Sequence, residues 1–185
     1  MISMIIVEKD GLILRQAQLS DMPRIDEVTI ICYTPITESW IEMQSESIFN
    51  ATRNPNVTWE QRKTKQNHDL FAEHPEWIWV LEQNSTIIGF VTFYINFERS
   101  IGTIDNNGVL PEYSGRGLGK FMYRYVLDYF RKEGIKVGFV ETGLDDPHIP
   151  ARKAYEGVGF DRSTPVVYYW QDLRKNNPGS TPQDN

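Results

Sequence analysis

Residues Val109–Arg131, VLPEYSGRGLGKFMYRYVLDYFR, join a glycine-rich turn to the most regular amphipathic pattern in the chain. From Leu118 the apolar residues Leu118, Phe121, Met122, Tyr125, Val126, Tyr129 and Phe130 recur three or four apart, which lines one broad helical face. Lys120, Arg124, Asp128 and Arg131 fall between them, on the wet side. Asp128 and Lys132 have the spacing of a helix-surface ion pair, and Gly134 offers a left-handed stop. In front of the helix, Gly115, Gly117 and Gly119 let the backbone turn tightly and approach a ligand with no Cβ between them.

A helix N-terminus of this kind presents amides without intrahelical partners and carries partial positive charge, which suits a phosphate. Two familiar phosphate-binding patterns do not fit. GxGxxG started at Gly115 requires glycine where Lys120 stands. GxxxxGK followed by Ser or Thr requires glycine at Ser114 and a hydroxyl residue at Phe121. What remains is the turn PEYSGRGLGK, entered from an apolar, strand-like segment.

The chain has 185 residues, of which 40% are hydrophobic and 24% charged, enough to bury a sizeable core. It reads as one domain over residues 1–174, followed by a polar tail, KNNPGSTPQDN, over 175–185 that is expected to be disordered. No apolar run reaches the roughly 18 residues of a membrane span, and the opening MISMIIVEKDG is too short and too acidic for a secretory signal. No membrane partner is therefore expected. The single cysteine, Cys32, excludes an internal disulfide and fits a reducing, cytoplasmic setting. A net charge of −6 disfavours nucleic acid and favours a cationic or neutral partner.

Upstream of the turn, Leu12–Ala17 reads as a strand, followed by Ser20 and Asp21 as N-cap candidates and Pro23 in the first turn of a helix. That helix points Ile25, Val28, Ile31 and Cys32 inward and is expected to end before Pro35. Cys32 on an apolar face reads as core; a nucleophilic thiolate would need a basic partner, and no histidine lies near it in sequence. Residues 36–70 are helical but irregular, with a break at Asn54-Pro55. Glu38, Glu42 and Glu46 recur every four residues there, either as a solvated face or as an acidic wall that attracts an amine. Arg62, Lys63 and Lys65 read as surface.

Trp77–Leu81 and Thr86–Ile95, joined at Asn84-Ser85, form a β-hairpin pattern in which Gly89 marks a bulge or a close approach. A strand over Ile101–Leu110 enters the glycine turn. After the long helix come a strand over Lys136–Thr142, a loop to Ile149, a helix from Pro150 to Gly157 or Gly159, and a last strand over Val166–Trp170.

The turn Ser114-Gly115-Arg116-Gly117-Leu118-Gly119 resembles the acyl-CoA-binding signature of the GNAT superfamily of N-acetyltransferases, R/Q-x-x-G-x-G/A, with Ser114 in place of Arg or Gln. One strand later, PARKAYEGVGF at Pro150–Phe160 resembles that superfamily's second signature, N-x-x-A-x-x-L/A-Y-E-x-x-G-F. It is preceded by TGLDDPHI, with His148 where Asn is usual, which gives a TGxDxxHxPAR-like variant. Two motifs in the right order and spacing carry a resemblance to that superfamily that spans about Leu12–Trp170, specific over Val109–Phe160 and loose before it.

The resemblance implies an α/β (α+β) fold, with a central mixed, mostly antiparallel twisted sheet of six to seven strands, about four flanking helices and a splay at the acyl-CoA site. It also implies acetyl-CoA as co-substrate, no metal, and an amine acceptor: a small amine, a peptide N-terminus or a lysine, attacking the thioester in a ternary complex. Backbone amides around Gly115, Arg116, Gly117, Leu118, Gly119 and Lys120 would hold the pyrophosphate, with Ser114 at the first position of the signature. Val109 and Leu110 would pair with the pantetheine arm, and an amide there would stabilise the oxyanion.

Tyr155 would donate a proton or hydrogen bond to the departing thiolate; its alternative is a core tyrosine. Asp105, Glu141 and Glu112 are candidate bases for the amine, and a base acting through water would leave no motif. His148 caps or orders its loop, contacts the cofactor or takes part in proton transfer. The superfamily often forms homodimers. The competing expectation is an acyl-CoA-binding or interaction module with little or no turnover.

Overall fold

The sheet is built outward from a segment that is apolar on both sides. In the computed structural model, which describes residues 4–174, Ile78 and Val80 point to one face of the sheet and Trp79 and Leu81 to the other, all of them buried. A strand that reads as a continuous apolar run is one covered on both faces. The strands are β1 (Ile5–Lys9), β2 (Leu12–Gln16), β3 (Ile78–Gln83), β4 (Thr86–Asn96), β5 (Ile101–Val109) and β6 (Val137–Val140). They lie in the order β1-β2-β3-β4-β5-β6, antiparallel throughout except for the parallel pair β5/β6. The helices are α1 (Met22–Gln44), α2 (Glu46–Ala51), α3 (Trp59–Glu73), α4 (Leu118–Lys132) and α5 (Ile149–Glu156).

One hydrophobic cluster joins α4 and α5 to the sheet through Trp79, Phe93, Ile104, Met122, Phe130 and Tyr155. The other joins α1 to the opposite face through Met22, Ile25, Val28, Ile78, Phe90 and Leu110. The expected mixed, mostly antiparallel sheet with helices on both faces is thus the one observed, at six strands among the described residues. The hairpin turn at Asn84 and Ser85 has φ of 50° and 61°, the left-handed pair that matches the twist of adjoining strands.

Four expectations need correction. First, α1 does not stop before Pro35 but runs through it to Gln44. Proline removes the donor that would serve the Ile31 carbonyl, but Ile31 is exposed, so water can serve it instead. Second, that exposure also overturns the inward placement of Ile31. The buried stripe is Ile25, Val28 and Thr29 with Cys32 packed beside it, the true helical spacing. Third, Asp128 pairs with Arg131 at 2.6 Å rather than with Lys132. Fourth, Val166–Trp170 forms no strand; its side chains lie exposed beyond α5. The tail over 175–185 lies outside the described residues. Among the described residues no helix is long and apolar enough to cross a membrane, and no group of His, Cys, Asp and Glu side chains is arranged to hold a metal.

Candidate functional site

At the end of β5 the chain makes one short helical turn at Pro111–Tyr113 and enters the glycine turn. Gly115 and Gly117 both have φ of +76°, which an L side chain rarely adopts, and a Cβ on either would meet nothing within 4 Å. The turn therefore faces open space. The first amide with an intrahelical partner is that of Phe121, which donates to the Gly117 carbonyl at 2.9 Å. The amides of Leu118, Gly119 and Lys120 precede it and are the orphan donors of the α4 N-terminus. This cradle fits a phosphate-bearing cofactor. Ser114 is exposed, Arg116 folds back to donate to the Glu112 carbonyl at 3.2 Å, and the Lys120 side chain packs across Gly157 at the end of α5.

Strands β5 and β6 pair only from Ile101/Val137 to Ile104/Val140. Beyond Ile104, β5 continues for five residues held by β4 alone, so the sheet opens there. The Leu110 amide donates to the Ile88 carbonyl at 2.9 Å. By the alternation of an antiparallel ladder, the amides of Val109 and Asn107 then point away from β4, toward the opening. Of Val109 and Leu110, only Val109 presents its amide to the open edge. The Asn107 amide meets the Tyr33 hydroxyl at 3.3 Å.

A bulge lies beside this edge. Val91 pairs with Asn107 and Phe93 with Ile104, so Thr92 faces both Asp105 and Asn106. A bulge re-aims the side chains around it. Asn107 Nδ2 donates to the Tyr155 hydroxyl at 3.0 Å and to the Asp105 carbonyl at 2.8 Å, and its Oδ1 accepts from the Tyr123 hydroxyl at 2.6 Å. The two phenol rings stack with centroids 4.9 Å apart. Burial raises the pKa of both phenols, so both stay protonated at neutral pH.

Asn106, by contrast, is buried against α1 and α3. Its Oδ1 accepts from Lys63 Nζ at 2.8 Å and from the Tyr33 hydroxyl at 3.2 Å, and its Nδ2 donates to Asn67 at 3.1 Å. Asn67 donates in turn to Thr29, whose hydroxyl returns to the Ile25 carbonyl. Lys63, expected on the surface, is drawn into this site and lies 4.5 Å from the Tyr33 ring centre. Burial lowers its pKa, with Asp105 opposing the shift.

Asp105 is exposed, and desolvation by the protein around it raises its pKa, with Lys63 opposing. Glu141 is exposed on the neighbouring strand end, and Glu112 is exposed before the turn. His148 Nδ1 is bonded to Asp145 Oδ1 at 2.6 Å, and Arg152 donates to the Gly143 and Asp145 carbonyls at 2.6 and 3.0 Å. The His148 ring thus orders its own loop. Cys32 approaches Gly108 so closely that a Cβ there would lie 2.8 Å from the sulfur, and its thiol donates to the Val109 carbonyl at 3.4 Å. Burial, with help from Glu112, pushes that thiol up to about 11, so it is packing rather than a nucleophile.

A groove of about 500 Å³ opens between the second half of α1 and the start of the α5 loop, lined by Glu38, Glu42, Asp145 and Asp146 among others and by no basic residue. Glu46 lies beyond the end of α1, in α2, so the four-residue repeat of Glu38, Glu42 and Glu46 is broken at Ser45.

Asn106, Asn107, Tyr33, Tyr123 and Lys63 were not legible as site residues. The available signal was Asn106-Asn107 itself, two residues that disfavour strands set inside an otherwise good one.

Comparison with known proteins bears on the family and the fold. The model of the acetyltransferase (GNAT) family matches residues 39–160. The spermidine N-acetyltransferase of Vibrio cholerae, solved with CoA and spermine, superposes with a TM-score of 0.60 at 18% identity, over 88% of each chain. A GNAT family acetyltransferase of Brucella melitensis in complex with acetyl-CoA gives 0.58 at 17% identity, over 83% of this chain and 85% of that one. The ribosomal-protein-S18-alanine N-acetyltransferase of Escherichia coli gives 0.55 at 18% identity, over 83% and 79%. No curated protein matches the chain in sequence.

Proposed function

This chain belongs to the GNAT acetyltransferase family, and we propose that it transfers an acetyl group from acetyl-CoA to a primary amine by direct attack in a ternary complex. The observation that carries the reading is the open edge of β5, which has the glycine turn at one end and the Tyr155 hydroxyl beside it. Acetyl-CoA supplies the activated acyl thioester. The amides of Leu118, Gly119 and Lys120 hold its pyrophosphate at the α4 N-terminus. The open-edge amide of Val109 serves the pantetheine arm or the thioester oxygen, where negative charge develops as the amine adds, while the Asn107 amide is held by the Tyr33 hydroxyl.

Asp105 takes the proton of the attacking amine, directly or through one water; its raised pKa makes it a better base than an ordinary surface carboxylate. Tyr155, kept neutral by burial and held by Asn107, gives a proton to the departing thiolate. His148 acts as a positioning residue for the loop that leads into α5.

The acceptor is a cationic amine with charges beyond the one acetylated. Glu38 is five residues along α1 from Tyr33, a rise of about 7 Å, so the acidic groove begins one to two turns from the open edge. Such an acceptor would leave its distal ammonium groups among Glu38, Glu42 and Asp146.

Two measurements test this. Acetyl-CoA at about a hundred times its dissociation constant is expected to stabilise the protein by about 2.7 kcal/mol; no thermal shift would remove the cradle. In a thiol-release assay, polyamines and aminoglycosides are expected to be acetylated in preference to amines with uncharged or acidic surroundings. Glu38→Lys with Glu42→Lys is expected to raise KM for the polycation with kcat held. Binding of acetyl-CoA without thiol release for any amine would leave a binding module instead.

A further inference from the structure

We propose that the Tyr33 hydroxyl is a catalytic donor, set to hydrogen-bond the thioester oxygen from the α1 side of the sheet opening while Tyr155 serves the sulfur from the α4 side. This rests on the acetyl-transfer reading above and names a further residue within it. The Tyr155 hydroxyl, which meets the departing sulfur, accepts from Asn107 Nδ2 at 3.0 Å, so the thioester group lies beside Asn107. Oxygen and sulfur share one carbon in a thioester, so the oxygen lies beside Asn107 as well. There the open-edge amide is already engaged, donating to the Tyr33 hydroxyl at 3.3 Å. The polar group presented at that point of the edge is therefore the hydroxyl.

Three features bring it there. α1 closes on β5 because Gly108 has no side chain: a Cβ would lie 2.8 Å from the sulfur of Cys32, the residue before Tyr33. The helix also runs unbroken through Pro35, which leaves Tyr33 in its middle rather than at a frayed end. Lys63 Nζ lies 4.5 Å from the centre of the Tyr33 ring, and an ammonium so placed draws charge from the ring and makes its hydroxyl a stronger donor.

The hydroxyl proton is free to turn. It rests on Asn106 Oδ1 at 3.2 Å, an oxygen that also accepts from Lys63 Nζ at the shorter 2.8 Å. Lys63 thus keeps Asn106 Oδ1 satisfied when the Tyr33 proton swings to a carbonyl, so no buried acceptor is left unpaired. Burial raises the pKa of Tyr33, which keeps the phenol protonated. As the amine nitrogen bonds to the carbonyl carbon, the displaced electron pair gathers on the oxygen that Tyr33 faces. Its return breaks the C–S bond, with the amine proton taken by Asp105 and the Tyr155 proton passing to sulfur. Tyr33 lends a hydrogen bond and gives up no proton.

The test reads the carbonyl itself. Acetyl-CoA labelled isotopically at the carbonyl carbon is bound without an amine, and its C=O stretch is followed by infrared difference spectroscopy. In the parent the stretch is expected below that of free acetyl-CoA. In Tyr33→Phe it is expected to return toward the free value, whereas Tyr155→Phe leaves it in place. Turnover in Tyr33→Phe is expected to fall about a hundredfold, with KM for acetyl-CoA held within about twofold. Fluorotyrosine in place of Tyr33, nearly isosteric and a stronger donor, is expected to lower the stretch further and serves should the phenylalanine variant fold poorly. A stretch that ignores both replacements would overturn the assignment. So would tighter acetyl-CoA binding with a lowered stretch in Tyr33→Phe, which would make the hydroxyl an obstacle in front of the Asn107 amide. A parent that binds no acetyl-CoA would overturn the acetyl-transfer reading and this proposal together, whereas binding with no response to Tyr33 would overturn this proposal alone.

Discussion

Asn106 and Asn107 are neighbours on one strand, yet they serve opposite faces of the sheet. Asn107 meets two neutral phenols, Tyr123 and Tyr155, at the rim of the opening. Asn106 meets a desolvated ammonium, Lys63, and a chain of amides that ends in α1. Successive residues of a strand point to opposite faces, and the two asparagines divide the work accordingly. On the Asn107 side the hydrogen bonds hold protons in place near the open edge. On the Asn106 side they satisfy polar groups whose exposure to a dry interior would otherwise cost stability.

The comparison is broken most forcefully on the Asn106 side. Asn106→Leu removes the acceptor of Lys63 Nζ and the donor to Asn67 Oδ1 and is expected to lower stability by about 3 kcal/mol, read as a drop in the denaturant midpoint. If the variant were as stable as the parent, the network would not be holding the helices to the sheet.

Tyr155→Phe tests the other side. Turnover is expected to fall about a hundredfold with little change in acetyl-CoA affinity. Stability is expected to change by less than about 1 kcal/mol, because Asn107 keeps its bond to the Asp105 carbonyl. Equal turnover in variant and parent would leave Tyr155 as a core residue only.

Gly117→Ala moves away from both asparagines to the turn. Placing a Cβ at a φ of +76° is expected to cost about 1 kcal/mol and to weaken acetyl-CoA binding, measured by calorimetry.

The smallest effect is in pH dependence. The Asp105 pKa is raised in the folded protein, so the native state holds the proton more tightly; its stabilising contribution is present at low pH and is lost as pH rises from the ordinary carboxylate range through the folded value. Lys63 is lowered by burial, so stability recovers as pH rises from its folded value toward 10.5. Asp105→Asn is expected to remove the first trend and the acid limb of the rate profile, and Lys63→Met the second trend. Unchanged profiles in both variants would separate these groups from the site.

Much of the architecture was open to reading because local rules agree with the final packing. Of the expected stripe of α4, Leu118, Met122, Val126 and Phe130 are buried and Phe121, Tyr125 and Tyr129 half-buried, with Tyr123 buried beside them, and the hairpin turn carries residues that adopt positive φ. The glycine turn was legible for the same reason: an N-terminus and its glycines are local properties. Pro35 is tolerated inside α1 because Ile31, whose carbonyl loses its donor, is an exposed residue, a fact of packing that no local signal carries. Lys63 misled because a short basic run is normally solvated, and only the close approach of α3 to β5 carries this one inward.

By itself the sequence determined the glycine turn at the α4 N-terminus, the order of strands and helices over most of the chain, and the position of Tyr155 on its helix. These follow from periodicity, backbone freedom and two spaced motifs. Only the tertiary structure decided that Asn106 is buried against α1 and α3 while Asn107 reaches Tyr123 and Tyr155, that the sheet opens beyond Ile104, and that Val166–Trp170 lies outside the six strands. Those features depend on which segments meet across tens of residues, and the free energy of such meetings is written in no single stretch of the chain.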